Sequence, residues 1–79
     1  MYLNALPKGC HAVIDHVEPR GAADPITARL LELGFVPGEP VQMVAHGPMG
    51  ADPIAVRVGT TRFALRRDEA ARVYLRDNA

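Results

Sequence analysis

Cys10, His11, His16 and His46 are the side chains in this 79-residue chain best suited to hold a transition metal. Thiolate and imidazole are the soft and borderline donors that Zn²⁺ and Fe²⁺ accept. Their spacing follows no zinc-type signature. Cys10 and His11 are also neighbours in a strand-like stretch, where consecutive side chains point to opposite faces and cannot easily share an ion. The four are weak candidates: solvated strand residues, or donors for an adventitious ion or one bridging two copies of the chain, with no cofactor required.

Other chemistry is sparse. There is no Ser, the hydroxyls are Thr27, Thr60, Thr61, Tyr2 and Tyr74, and Cys10 lies in no nucleophile motif with a placed base. Gly47, Gly50 and Gly59 do not form a phosphate-cradling loop. The expectation is a protein that is not an enzyme. The arginines Arg57, Arg62, Arg66, Arg67, Arg72 and Arg76 crowd the last third, so residues 53–79 carry a net +3 and residues 1–52 a net −3. A nucleic-acid reader adds net positive charge and aromatic platforms. This chain has zero net charge, two Phe, two Tyr and no Trp, so nucleic acid is not an expected partner. The arginines read as a solvated face, with a secondary role in meeting an acidic protein surface.

These side chains must be positioned by one domain covering residues 1–79, since a chain this short buries only about 60% of the surface its unfolded form exposes. With 48% apolar residues and few aromatics, its core is aliphatic. A single Cys makes no internal disulfide and fits a reducing, cytoplasmic setting. There is neither a run of about 18 apolar residues nor a signal-peptide pattern, so direct membrane insertion is not expected.

Leu3 and Leu6 precede a Pro7-Lys8-Gly9 turn and can cover one end of the core. Cys10 to Glu18 is strand-like, but Val17 is out of phase with Ala12 and Ile14, which predicts a bulge near Asp15 and His16. Asp24 as cap, Pro25 at the first helical position and Gly34 as a left-handed stop bound a helix. Ile26, Leu30 and Leu33 form its buried stripe, and Leu31 is half exposed. Val36-Pro37-Gly38-Glu39 is a type II turn. Alternation then marks strands at 41–46, 54–58 and 63–65, with 47–53 as a loop and Gly59-Thr60 as a two-residue hairpin turn of type II′. Asp68 to Ala71 is a single helical turn, and Val73 and Leu75 lie in a short closing strand. The fold class is mostly β: about five strands with one helix after the first, closed into a small, strongly bent barrel.

Leu6-Pro7-x-Gly9, the run Arg29 to Gly38, Asp52-Pro53-Ile54-x-Val56-x-Val58 and Ala64-Leu65-Arg66-Arg67-x-Glu69-Ala70, in that order, resemble FeoA proteins. Ala51 adds a residue to the usual Gly-Asp-Pro loop, and Gly59 stands one position earlier than in most members. The resemblance implies an SH3-like β-barrel, a non-catalytic accessory of ferrous-iron transport that acts in the cytoplasm on the membrane transporter FeoB. Within that frame Gly34, Pro37, Gly38, Asp52 and Pro53 are structural, while Leu31, Phe35, Val36, Met49 and Arg66 are the candidate partner-binding residues. Leu31, Phe35 and Val36 would form an exposed apolar edge. The alternatives are a metal carrier or sensor using the Cys and His side chains, and a regulatory domain akin to that of DtxR-type metal-dependent repressors. In those repressors the domain follows a helix-turn-helix and a dimerisation region, for which these 79 residues are expected to leave no room.

Overall fold

A computed structural model of the chain describes residues 1–49 and 52–76. After a 3-10 turn at Leu3–Ala5 come β1 (His11–Val17), α1 (Pro25–Leu33), β2 (Pro40–Met49), β3 (Asp52–Val58), β4 (Thr61–Leu65), α2 (Arg67–Ala70) and β5 (Val73–Leu75). The strands run in the order β4-β3-β2-β1-β5, and every neighbouring pair is antiparallel. The edge strands β4 and β5 are joined through α2 rather than by a ladder of their own. The bent sheet encloses Leu3, Ile14, Leu30, Met43, Ile54 and Leu75, each at most 2% exposed. Each buried side chain of this size contributes about 1.5–3 kcal/mol of transfer free energy.

The helix forms where its signals stand. The Asp24 carboxylate accepts the Ile26 N–H at 3.2 Å, and Pro25 opens the first turn. Gly34 adopts φ 110°, a conformation that costs a side-chain-bearing residue strain. Its N–H donates to the Leu31 carbonyl at 3.1 Å, and the Phe35 N–H donates to the Leu30 carbonyl at 3.0 Å. This pair of bonds is a Schellman ending, which turns the residue after the glycine back onto the last helical turn. Phe35 therefore enters the core with Leu30 and is fully buried, not part of an exposed edge. Its ring packs against Phe63 at 5.2 Å between centroids. The Glu39 N–H bonds the Val36 carbonyl, with Gly38 at φ 89°, as the Pro-Gly turn requires.

Two expectations need correction. The buried stripe of α1 is Ile26, Thr27 and Leu30, and Leu33 is 38% exposed. The helix is rolled toward Thr27, whose hydroxyl donates to Asp24 at 2.9 Å, which leaves Leu33 at the edge of the contact. Of the expected loop 47–53, residues 47–49 belong to β2 and residues 52–53 to β3, while Gly50 and Ala51 lie outside the described residues. The pairing shifts register between Met43 and Ala45 and again between His46 and Met49, and these bulges let a Gly- and Pro-containing segment stay in the sheet. Gly47 lies against the Pro53 and Asp52 backbones so closely that a Cβ there would overlap them.

Candidate functional site

The four metal candidates do not converge. Cys10 and His11 are exposed at the start of β1. His46 follows the first β2 bulge, which sets it opposite Ile54, and its Nε2 donates to the Leu6 carbonyl at 3.0 Å, holding the N-terminal segment on the sheet. His16 is engaged by carboxylates on both ring nitrogens. No three His, Cys, Asp or Glu side chains among the described residues are grouped to hold a metal ion.

Several ionisable side chains gather around His16. The predicted bulge is present between Ile14 and His16, and it brings two consecutive side chains to one side. Asp15 Oδ2 lies 2.6 Å from His16 Nδ1, and Glu18 Oε2 lies 2.9 Å from Nε2. Both ring nitrogens then act as donors, which is the charged imidazolium form. Hydrogen bonding to Asp15 first, and to Glu18 second, raises the His16 pKa above its usual value. The Tyr2 hydroxyl donates to Glu18 at 2.7 Å and, with His16, lowers that carboxyl's pKa. The phenol's own pKa rises beside the same carboxylate. The two carboxylates stand on opposite sides of the imidazole, so the cluster ties the N-terminal segment to β1 rather than chelating an ion.

Arg72 is the departure from the solvated-arginine expectation. It is 8% exposed, and its Nε donates to Asp24 Oδ2 at 2.7 Å. Asp24 also accepts the Arg20 N–H at 2.9 Å. With these donors and Thr27, its carboxyl is held well below the usual carboxylate range, the Arg20 amide contributing most and Arg72 next. Arg72 Nη1 reaches the Asp68 carbonyl at 2.7 Å, so the pair clamps α1 to α2 and β5. Sequence reasoning identifies Asp24 as a cap, but a pairing across 48 residues leaves no local signal.

Of the candidate partner residues, Leu31 is 42% exposed, Val36 is half-buried and Phe35 is in the core. The side chain of Met49 lies outside the described residues. Leu31 and Leu33 are both exposed, but two helical residues at about 100° each put them on opposite flanks of α1 rather than in one patch. Arg66 is exposed beside Asp52 and Pro53 at a shallow cleft of about 290 Å³. There the Asp52 carboxylate accepts the Arg67 N–H at 3.1 Å, and Glu69 accepts the Arg66 N–H at 2.7 Å, so the acidic end of β3 caps α2.

A five-stranded bent sheet with a Schellman-ended helix after β1 is the architecture that the sequence resemblance implies, and residues 1–77 match the FeoA domain model. The chain belongs to the FeoA family. It is 53% identical to the FeoA of Stenotrophomonas maltophilia, crystallised with zinc and described as an SH3 domain protein. That likeness covers 96% of this chain and 89% of the other, with a TM-score of 0.89. It is 38% identical over 92% of its length to a segment of an Fe(2+) transport protein A/FeoB fusion protein of Porphyromonas gingivalis, and spans only 8% of that protein. A manganese-dependent transcriptional repressor shares the fold, with a TM-score of 0.80 at 15% identity, over 95% of this chain and 40% of the repressor.

FeoA proteins are non-catalytic SH3-like domains and accessory proteins of ferrous-iron transport, with no required cofactor. Its core is mainly aliphatic around the buried Phe35, and its described ionisable groups brace the structure or lie on the surface. Among the described residues, no helix of this FeoA is long and apolar enough to cross a membrane.

Proposed function

We propose that this FeoA acts in the cytoplasm as a non-catalytic docking module for the FeoB transporter and modulates its uptake cycle. The observation that carries the reading is the Porphyromonas gingivalis fusion, in which a segment similar to this chain shares one polypeptide with FeoB. Covalent linkage keeps two partners at high effective concentration, and selection for such linkage favours partners that meet. The Stenotrophomonas maltophilia protein has been put forward as an activating factor of ferrous-iron transport, which agrees with this role. Leu31, exposed on α1, is the anchor of the docking surface, with half-buried Val36 and exposed Arg66 as further contacts.

Titration of the purified chain against the cytoplasmic part of FeoB tests the reading. Saturable binding that Leu31→Glu weakens, at unchanged thermal stability, is expected. Absence of binding across nucleotide states and salt concentrations would remove it.

A further inference from the structure

The pairing registers place four polar side chains in one row across the outer face of the sheet. His11 is opposite Gln42, Gln42 opposite Arg57, and Arg57 opposite Arg62. Directly opposed residues of antiparallel strands share a face, so this row runs from β1 to the edge strand β4. Beside it is a cleft of about 350 Å³ whose lining includes His11, Glu39, Gln42 and Arg57.

Two like charges directly opposite each other destabilise a sheet, and here they are not neutralised. Arg57 donates to Gln42 Oε1 at 3.4 Å, a long contact with a neutral acceptor. Neither Arg57 nor Arg62 has a carboxylate ion pair among the described residues. An arginine on an edge strand can serve to block edge-to-edge association, which accounts for Arg62 but not for Arg57 on the interior strand β3.

The second, independent feature is the edge itself. Val58 and Thr61 close the two-residue turn, so alternation directs the backbone groups of Thr61, Phe63 and Leu65 toward β3 and those of Arg62 and Ala64 outward. Among the described residues nothing bonds the backbone of Arg62 or Ala64 on that side.

We propose that the outer edge of β4 accepts an extended acidic segment of a partner protein as an added strand. An acidic residue paired with Arg62 puts its carboxylate on the face that Arg62 and Arg57 share. Strand spacings of about 4.8 Å keep both guanidinium groups within reach of it. A second copy of the chain is a poor occupant, because β4 against β4 would bring Arg62 toward its own counterpart. A nucleic acid is disfavoured, because neither the row nor its neighbouring outward pair Ala55 and Ala64 offers an aromatic platform. The inference rests on the reading of the chain as a docking module, but a peptide test needs no transporter, so the two fail separately.

The test uses the intact ¹⁵N-labelled chain and a blocked peptide, Glu-Val-Glu-Val-Glu-Thr, with its lysine counterpart as control. Saturable shifts at residues 61–65, and slowed hydrogen exchange at the Arg62 and Ala64 amides, are expected. The double variant Arg57→Gln/Arg62→Gln should lose about tenfold in affinity while melting no lower than the parent, since it removes a like-charged cross-strand pair, and binding should weaken as salt rises. The proposal is overturned by equal binding of the lysine peptide, by shifts on another face, or by no saturable shift. Displacement of the peptide from the same amides by a thymidine oligonucleotide would assign the row to nucleic acid instead.

Discussion

Arg72 and the pair Arg57–Arg62 come from the same basic third of the sequence, yet the fold treats them in opposite ways. Arg72 is buried against Asp24, whose carboxylate also accepts from Arg20, Ile26 and Thr27. Its charge is spent on holding α1 against the barrel. Arg57 and Arg62 face each other on the wet side with no carboxylate ion pair among the described residues, an arrangement that does not favour folding. The contrast teaches that Arg72 and Asp24, buried and fully paired, are groups the fold uses on itself, while the pair left without carboxylates among the described residues is what the proposed docking of an acidic strand rests on.

The interior should be intolerant and the outer face nearly silent in stability, which orders the expected outcomes. Phe35→Ala empties a fully buried site between Leu30 and Phe63 and should cost about 4 kcal/mol in denaturant unfolding. A near-neutral result would return Phe35 to the surface.

Arg72→Met strips Asp24 of its charged partner and should come next, with a signature in acid. Asp24 has a depressed pKa in the folded state, so its stabilisation is present above the ordinary carboxylate range and is lost as pH falls through the depressed value. In the variant the carboxyl is less depressed, so that loss should be smaller and complete at higher pH, and the less stable chain should unfold in acid at higher pH than the parent, as circular dichroism against pH would record. Gly47→Ala forces a Cβ onto the Pro53 backbone and should cost about 2 kcal/mol in thermal unfolding.

His16 is a milder, oppositely signed case. Its folded pKa is raised, so its contribution is fully present below the unfolded value near 6.5 and fades as pH rises through the folded one. His16→Gln should therefore be less stable than the parent in mild acid and indistinguishable from it in alkali; a difference that persists in alkali would rule out the charge. The smallest effect should favour the variant: Arg62→Glu replaces a like-charged cross-strand pair by an opposite one and should stabilise by about 0.5 kcal/mol. A loss there would mean that Arg62 already has a structural partner.

Local signals made most of the fold legible. Asp24, Pro25, Gly34 and the Pro37-Gly38 turn announced α1 and its exit, and the phase break at Val17 announced the β1 bulge. The family frame was legible too, in the order and spacing of the stretches Leu6 to Gly9, Arg29 to Gly38, Asp52 to Val58 and Ala64 to Ala70. Other features were set by contacts distant in sequence. Phe35 looked available beside exposed helix residues, but the Schellman bonds direct it inward. Gly47, Pro48 and Pro53 look like loop residues, yet register shifts in β2 admit them to the sheet. Thr27 displaces Leu33 from the buried stripe because Asp24 and Arg72 set the roll of the helix. The weakness of the metal candidates shows in their spacing alone, whereas the engagement of His16 and His46 by protein acceptors depends on the β1 and β2 bulges and on the folded N-terminal segment.

The central claim is that this FeoA works through its exterior, by docking, and not by handling iron on its own side chains. Ferrous-iron uptake in cells deleted for the gene, then supplied with variants, tests it most directly. Uptake should fall on deletion and be restored by the parent chain and by His11→Ala, but not by a folded Leu31→Glu. Uptake indifferent to deletion, or restored by Leu31→Glu and not by His11→Ala, would contradict the account.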